Sequence, residues 1–240
     1  MIEVQMSELE ESLKQIHTGR ILDIATGRGG FIKSMTELLG GFDEIIGIDN
    51  KTENLKTAEK EFDDLRIKFI QMDAENLDFD SDSFDVVMIS HSLHHVDKPD
   101  TVLEEMIRVL KPSGIFIIRE LHRSDANEFQ ETQIEMHHWW ADIDRQTGIN
   151  HNHTFTYNEL VDVLERLPLH DLKIAHCENP PPITDEDSLK QLDGKIENYI
   201  SRVRDNKLED HLIEKGAAIK RRISEIGIAW APSILATAIK

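Results

Sequence analysis

The sequence has almost no cysteine: Cys177 stands alone in 240 residues. A single thiol excludes an internal disulfide and fits a reducing compartment. Basic residues are also scarce, 27 against 46 acidic ones, which leaves a net charge of −19. A surface this acidic repels phosphate backbones, so a nucleic-acid partner is not expected. Long apolar runs are missing too. Ile115 to Ile118 is one of the longest, far short of the roughly 20 residues a membrane helix needs. No basic segment follows Met1-Ile2-Glu3, so a secretory leader is not expected and a cytoplasmic setting is. Internal repeats and low-complexity stretches are absent. What is present, 39% hydrophobic and 30% charged residues, is the balance of a globular chain, long enough for one large domain with an insertion.

Two regimes of periodicity divide the chain. From Arg20 to about Lys111, short apolar runs alternate with helical stretches. The runs are Ile21-Leu22-Asp23-Ile24, Glu44 to Asp49, Ile67 to Ile70, Phe84 to Ile89 and Gly114 to Ile118. Near-continuous apolar strands alternating with helices indicate βαβ units and a parallel sheet covered on both faces. Helices are expected over 31–39, 52–62 and 99–110, the last opened by Pro99 and stopped at Lys111-Pro112-Ser113-Gly114. The first seventeen residues read as one further helix, with Met6, Leu9, Leu13 and Ile16 on one face. The second half is less regular. One or two helices are expected over 124–146, then a helix capped by Thr156 with Glu159 three residues on. A strand follows near 172–176, then Pro180-Pro181-Pro182, two helices from Thr184, and a final strand from Ser233.

The most informative stretch runs from Leu22 to Phe31, between the first strand and its helix. Its glycines Gly27, Gly29 and Gly30 let a backbone turn tightly against a ligand, and the helix start offers N–H groups to an anion. Asp49 ends the next strand, twenty residues after Gly29, where a carboxylate can accept the ribose hydroxyls of a nucleoside. A dinucleotide fingerprint begun at Gly27 needs glycine or alanine where Ile32 stands. That departure, with no Tyr-x-x-x-Lys dyad, counts against an NAD-dependent oxidoreductase.

With these motifs the sequence resembles the class I S-adenosylmethionine-dependent methyltransferases, in the ubiquinone/menaquinone-biosynthesis-like branch. The family's acidic-x-Gly-x-Gly-x-Gly motif matches Asp23, Gly27 and Gly29, with Ala25 in the first glycine position. Asp49, with Asn50 beside it, matches the acidic residue that holds the ribose. Asp73-Ala74 resembles the pair that reads the adenine. Ser83 to Val87 and Ser90 to Val96 look like the fourth-strand motif, and Arg108 to Gly114 resembles the stretch before the fifth strand. The match covers roughly residues 18–120. The resemblance implies a Rossmann-like α/β fold: a seven-stranded, mostly parallel sheet with helices on both faces, the last strand antiparallel and a helical insertion before it. It implies S-adenosylmethionine as cofactor and S-adenosylhomocysteine as product. Ala25, Thr26, Gly27 and Gly29 would meet the methionine end, and Ser90 would border the methyl site. Domains are expected at 1–182 plus 228–240 for cofactor binding and at 183–227 for the helical insertion, with a substrate lid over 121–155.

Acceptor-side residues are expected past the carboxyl ends of the strands. His91, His94 and His95 follow the fourth strand, and Glu120 and His122 follow the fifth. Histidine titrates near neutrality, as a general base should, so His94, His91 and His122 are the catalytic candidates, in that order. Packing alone is the competing account of them. His137, His138, Asp142, His151 and His153 also fall close together. His138 and Asp142, four apart on a helix, with His151, are the residues that would hold a metal ion. The expectation is no metal, with this segment and Trp139-Trp140 lining a polar lid. Over 184–227, 9 basic residues meet 10 acidic ones, and the apolar face there is open to the domain itself, the acceptor pocket or a second subunit in a homodimer. The expected activity is methyl transfer to a small-molecule acceptor; the alternative is a non-catalytic nucleoside-binding protein on the same scaffold.

Overall fold

The computed structural model describes residues 1–178 and 181–240; Pro180 of the proline run lies outside them. The chain divides into two compact units, one made of 1–120, 161–177 and 234–240, the other of 121–160 and 178–233.

The first unit is built on a sheet of eight strands: β1 (Ile2–Glu3), β2 (His17–Ile24), β3 (Gly41–Asp49), β4 (Ile67–Gln71), β5 (Phe84–Ser90), β6 (Leu110–Leu121), β7 (His170–His176) and β8 (Ser233–Ile239). Their order is β1-β7-β8-β6-β5-β2-β3-β4. The pairs of β2 with β3 and β5, of β3 with β4 and of β5 with β6 are parallel, and β7 with β8 is antiparallel. The apolar runs are the central strands: Ile21, Leu22, Ile24, Val86, Val87, Met88 and Ile89 are all fully buried, as a sheet covered on both faces requires. Four helices pack on this unit, α1 (Met6–Lys14), α2 (Gly30–Leu38), α3 (Thr52–Glu61) and α4 (Pro99–Val109). Leu9 and Leu13 of α1 join Ile32 and Met35 of α2 in one core with Ile21, Ile45, Val86 and Met88.

The order of connection fixes where a ligand can sit. From β2 the chain moves outward to β3 and β4, then returns to lay β5 on the other side of β2. The helices on the two sides therefore diverge between the carboxyl ends of β2 and β5, the crevice such sheets use for ligands.

Three expectations are corrected. The sheet has eight strands rather than seven, because Ile2 and Glu3 pair beside Lys173 and Ile174; two residues carry no periodicity. The first seventeen residues are accordingly a strand, a nine-residue helix and the start of β2. The strand expected from Gly114 starts at Leu110 instead, since Phe84 pairs with Leu110 and Val86 with Ile115 across an irregularity. The intervening Lys111-Pro112-Ser113-Gly114, with Ser113 in the left-handed region at φ 63°, bulges out of the strand, while α4 ends just before it at Val109.

The second unit is helical. It holds α5 (Glu128–Gln146), the start of α6 (Tyr157–Glu165), α7 (Glu186–Asp205) and α8 (His211–Ile226). The 121–155 segment and the 183–227 helices, expected as separate pieces, share one core: Met136, Trp139 and Ile143 of α5 pack with Ile196, Ile200 and Val203 of α7 and Leu212 and Ile219 of α8. The expected cap at Thr156 forms in full. Glu159 N donates to Thr156 Oγ1 at 3.1 Å and Thr156 N to Glu159 Oε2 at 2.6 Å, satisfying two otherwise orphaned donors. Asn127 and Gln130 do the same for α5. Trp139, fully buried, donates its indole N–H to Leu212 O at 2.8 Å.

That indole also sets what α8 can carry. A Cβ on Gly216 would stand 2.6 Å from Trp139 Cζ2, whereas one on Gly194 of α7 would meet nothing within 4 Å. Helix propensity favours alanine over glycine by about 1 kcal/mol at either place. Gly194→Ala should therefore stabilise by about 0.5–1 kcal/mol. Gly216→Ala should destabilise by about 1–3 kcal/mol, the scale of an overpacked core. Urea midpoints of the two variants measure this, and shifts of the same sign would contradict the packing described.

Candidate functional site

The loop leaving β2 is shaped by three residues with positive φ: Ala25 at 52°, Gly27 at 56° and Gly29 at 81°. Ala25, in a glycine position of the motif, takes a conformation that disfavours a side chain. At Gly29 the requirement is double, because a Cβ would stand 2.5 Å from the Phe62 ring. At Gly27 a Cβ would meet nothing within 4 Å, so the loop's backbone faces open space there. Gly29 then caps α2 without any side-chain hydrogen bond to the helix start, and the first helical bond runs from Lys33 N to Gly29 O at 3.0 Å. The N–H groups of Gly30, Phe31 and Ile32 precede that bond and have no partner within the helix.

Two carboxylates hold the loop. Asp49, at the end of β3 and 8% exposed, accepts from Gly27 N at 3.0 Å and from Lys51 N at 2.8 Å. Asn54 Nδ2 lies 3.4 Å from both its oxygens. Each carboxylate oxygen has two lone pairs, so Asp49 retains accepting capacity. Asp23, at the end of β2, accepts from Thr26 Oγ1 at 2.6 Å through Oδ2, while its Oδ1 is buried without a hydrogen-bond partner. Burial, opposed by the Thr26 hydrogen bond and reinforced by the nearby Asp49 charge, pushes the Asp23 carboxyl up to about 7. Thr26 N donates to Ile48 O at 2.7 Å, a second tie from the loop to β3. Asp73 is drawn to the same edge: Met72 N donates to Asp49 O at 3.2 Å, and Gln71 Nε2 to Asn50 O at 3.1 Å. Asp73 Oδ1 accepts from Glu75 N at 2.9 Å, turning the backbone at Ala74. The cofactor candidates from Asp23 to Asp73 thus form one connected set.

Past β5, Ser90 O accepts from Ser92 Oγ at 2.8 Å, and a 3-10 turn carries Leu93–His95. His94 Nδ1 lies 3.0 Å from Glu120 Oε1, and Leu93 N donates to Glu120 Oε2 at 2.9 Å, all of it buried. The carboxylate beside Nδ1 fixes the orientation of the ring. His91 is strained, at φ 46°, and its Nε2 is buried without a hydrogen-bond partner. Desolvation lowers its pKa to about 4, so the ring is neutral at physiological pH. His122 belongs to the second unit. There its N–H donates to Pro232 O at 2.9 Å, and its ring meets Tyr157 edge-on at 5.7 Å.

The trio singled out for a metal divides among different partners. His138 Nε2 accepts from Thr154 N at 3.3 Å and lies 2.9 Å from Thr154 Oγ1. Asp142 binds His153 Nε2 and Arg145 Nη2, both at 2.8 Å. His151 Nδ1 goes to Asp144 Oδ2 at 2.7 Å. The helical four-residue spacing does align His138 and Asp142, but the loop after α5 returns its own side chains to each of them. Glu120 as the partner of His94, Phe62 beneath Gly29 and Asp144 as the partner of His151 lie outside any local motif.

Residues 22–118 match the family model of the methyltransferase domain. Over 119 residues the chain is 33% identical to the ubiquinone/menaquinone biosynthesis C-methyltransferase UbiE of Stutzerimonas stutzeri, an alignment covering 48% of this chain and 46% of that protein. The chain thus spans about half the length of the curated relatives it matches. Among solved structures, the YcgJ protein of Bacillus subtilis superposes with a TM-score of 0.63 at 18% identity, over 98% of this chain and 97% of that one. Phosphoethanolamine N-methyltransferase 2 of Haemonchus contortus, solved with phosphomonomethylethanolamine and S-adenosylhomocysteine, gives 0.55 at 18% identity, over 97% of this chain and 52% of that one. These structural likenesses concern the fold.

Asp23 makes stability depend on pH in a defined direction. An unfolded aspartate titrates near 3.9 and the folded one near 7, so the folded state binds the extra proton between them. The associated stabilisation is complete below about pH 4 and is lost as pH rises through about 7. Asp23→Asn keeps an acceptor for Thr26 and removes the titration. Its stability relative to the unsubstituted protein should therefore increase from pH 4 to 7.5, read by urea unfolding at both ends; parallel profiles would refute the raised pKa.

Proposed function

We propose, for a chain whose residues 22–118 carry a methyltransferase domain, that it moves a methyl group from S-adenosylmethionine to a small-molecule acceptor. The observation that supports this best is the loop after β2, tied by Gly27 N–H to Asp49 and opening at the carboxyl end of the sheet. Its features suit the cofactor: clear space at Gly27, unbonded N–H groups at the start of α2 for a carboxylate, and a buried acceptor atom on Asp23. In this reading Ala25, Thr26, Gly27 and Gly29 line the methionine end, with Asp23 behind them. Asp49 and Asn50 hold the ribose, Asp73 and Ala74 read the adenine, and Ser90 borders the methyl site.

When bound, the sulfonium supplies a methyl group that is already activated. The protein's share of the work is to align the acceptor and exclude water. A base is needed only where the acceptor must shed a proton. His94 is the first candidate for that base, with Glu120 beside its Nδ1 to orient the ring. His91, neutral through burial, and His122 are the further candidates. No helix among the described residues is long and apolar enough to cross a membrane, and the single cysteine supports a reducing, cytoplasmic setting.

Calorimetric titration with S-adenosylhomocysteine, with NAD as the control, tests the reading. Binding of the first alone is expected. Asp49→Ala should weaken it by roughly 10- to 150-fold, equivalent to about 1.5–3 kcal/mol for hydrogen bonds to a charged group. His94→Ala should leave that affinity unchanged while slowing turnover of an acceptor that must be deprotonated. Silence from both ligands would overturn the reading.

A further inference from the structure

A second set of polar groups, within the helical unit, takes no part in the reading above. His137 and Asp144 are seven residues apart on α5, two turns along one face. After α5 the chain turns at Thr147 and Gly148, the glycine at φ 80°, with Thr147 Oγ1 bonded to Ile143 O and Asp144 O. That turn folds His151 back onto the same face. His137, Asp144 and His151 are 6%, 5% and 5% exposed. Asp144 is held as a carboxylate by three donors: Arg202 Nη1 to Oδ1 at 2.7 Å, Tyr199 Oη to Oδ2 at 3.0 Å and His151 Nδ1 to Oδ2 at 2.7 Å. Arg202 also donates to Thr147 Oγ1 at 2.6 Å, bracing the turn itself.

With its proton drawn to Nδ1 by Asp144, His151 directs the lone pair of Nε2 at His137 Nε2, 3.1 Å away. The two rings are nearly perpendicular, at 84°. Two imidazole nitrogens each 2.0–2.1 Å from a tetrahedral ion stand about 3.3 Å apart, close to the separation here. A carboxylate behind a ligating histidine, fixing its tautomer and raising its basicity, is the usual support of such a ligand. The net charge of −19 adds a field that favours cations.

We infer that His137 and His151 bind a divalent transition-metal ion of the zinc class through their Nε2 atoms, with Asp144, Tyr199 and Arg202 orienting His151. Imidazole donors select zinc, nickel, copper or iron over magnesium and calcium. This site shares His151 with the trio His138, Asp142 and His151 suggested by sequence spacing but replaces the other two with His137, and it does not depend on the methyl-transfer reading.

The test uses the full chain, free of any affinity tag and stripped with a chelator, titrated with Zn²⁺ by calorimetry at pH 7.5. One equivalent should bind. His137→Ala and His151→Ala should each weaken binding at least about tenfold, and Asp144→Asn by about 10- to 100-fold, the range for such supporting carboxylates. The double variant His138→Ala/His153→Ala should bind as the unsubstituted chain does. X-ray absorption of the zinc-loaded unsubstituted protein should show at least two imidazoles at about 2.0–2.1 Å, and this arm stands even if a variant misfolds. No stoichiometric binding, fewer than two imidazoles, unchanged affinity in His137→Ala and His151→Ala, or loss of binding in the double variant would each overturn the proposal.

Discussion

The hydrogen bond from Gly27 N–H to Asp49 ties the loop leaving β2 to the end of β3, and the candidate cofactor site is organised around it. Beside it, the loop's three left-handed residues are held by the Thr26 contacts, by Lys33 N–H on Gly29 O and by the Phe62 ring against Gly29. The same carboxylate takes Lys51 N–H on its other oxygen, so the entry to α3 and the loop leading into α2 are tied to one side chain. Two helix entries and two strand ends thus converge on one buried anion. Its neighbour Asp23 avoids being a second one at low pH by holding its proton, which eases the repulsion between the two carboxyl groups.

The stretch from β2 to β5 was readable because its elements are determined locally or by nearest neighbours, unlike β1, whose partner lies about 170 residues away. Apolar strands such as Val86 to Ile89 have no polar face to give up and must lie inside a covered sheet. The glycine loop and Asp49 are separated by one βα unit, so their spacing in sequence carries their relation in space. The second half lacked such constraints. The core joining Trp139 to Leu212 and Gly216 spans more than seventy residues of separation, and periodicity reveals only that a face is buried, not what buries it. Side-chain pairing was the least legible level. Glu120 is 26 residues from His94, and Asp142, on the same helix as Asp144, is an equally local partner for a histidine and takes His153 instead.

One arrangement recurs in both units: a buried carboxylate bound to the Nδ1 of a buried histidine, Glu120 with His94 at 3.0 Å and Asp144 with His151 at 2.7 Å. In each case the acid fixes the orientation of the ring. Burying such a pair is costly unless each acid has further donors. Leu93 N–H supplies one to Glu120, and Arg202 and Tyr199 supply them to Asp144.

A carboxyl group that half-titrates near neutrality, as Asp23 does, leaves a thermodynamic signature on whatever the loop binds. A ligand carrying positive charge within its reach favours the ionised form, so its uptake is accompanied by release of a fraction of a proton to the medium. The heat observed then includes the ionisation enthalpy of the buffer, and it differs between phosphate and Tris although the affinity at that pH does not. The slope of that difference counts the protons displaced, and it distinguishes a cation held against Asp23 from a ligand that merely occupies the loop.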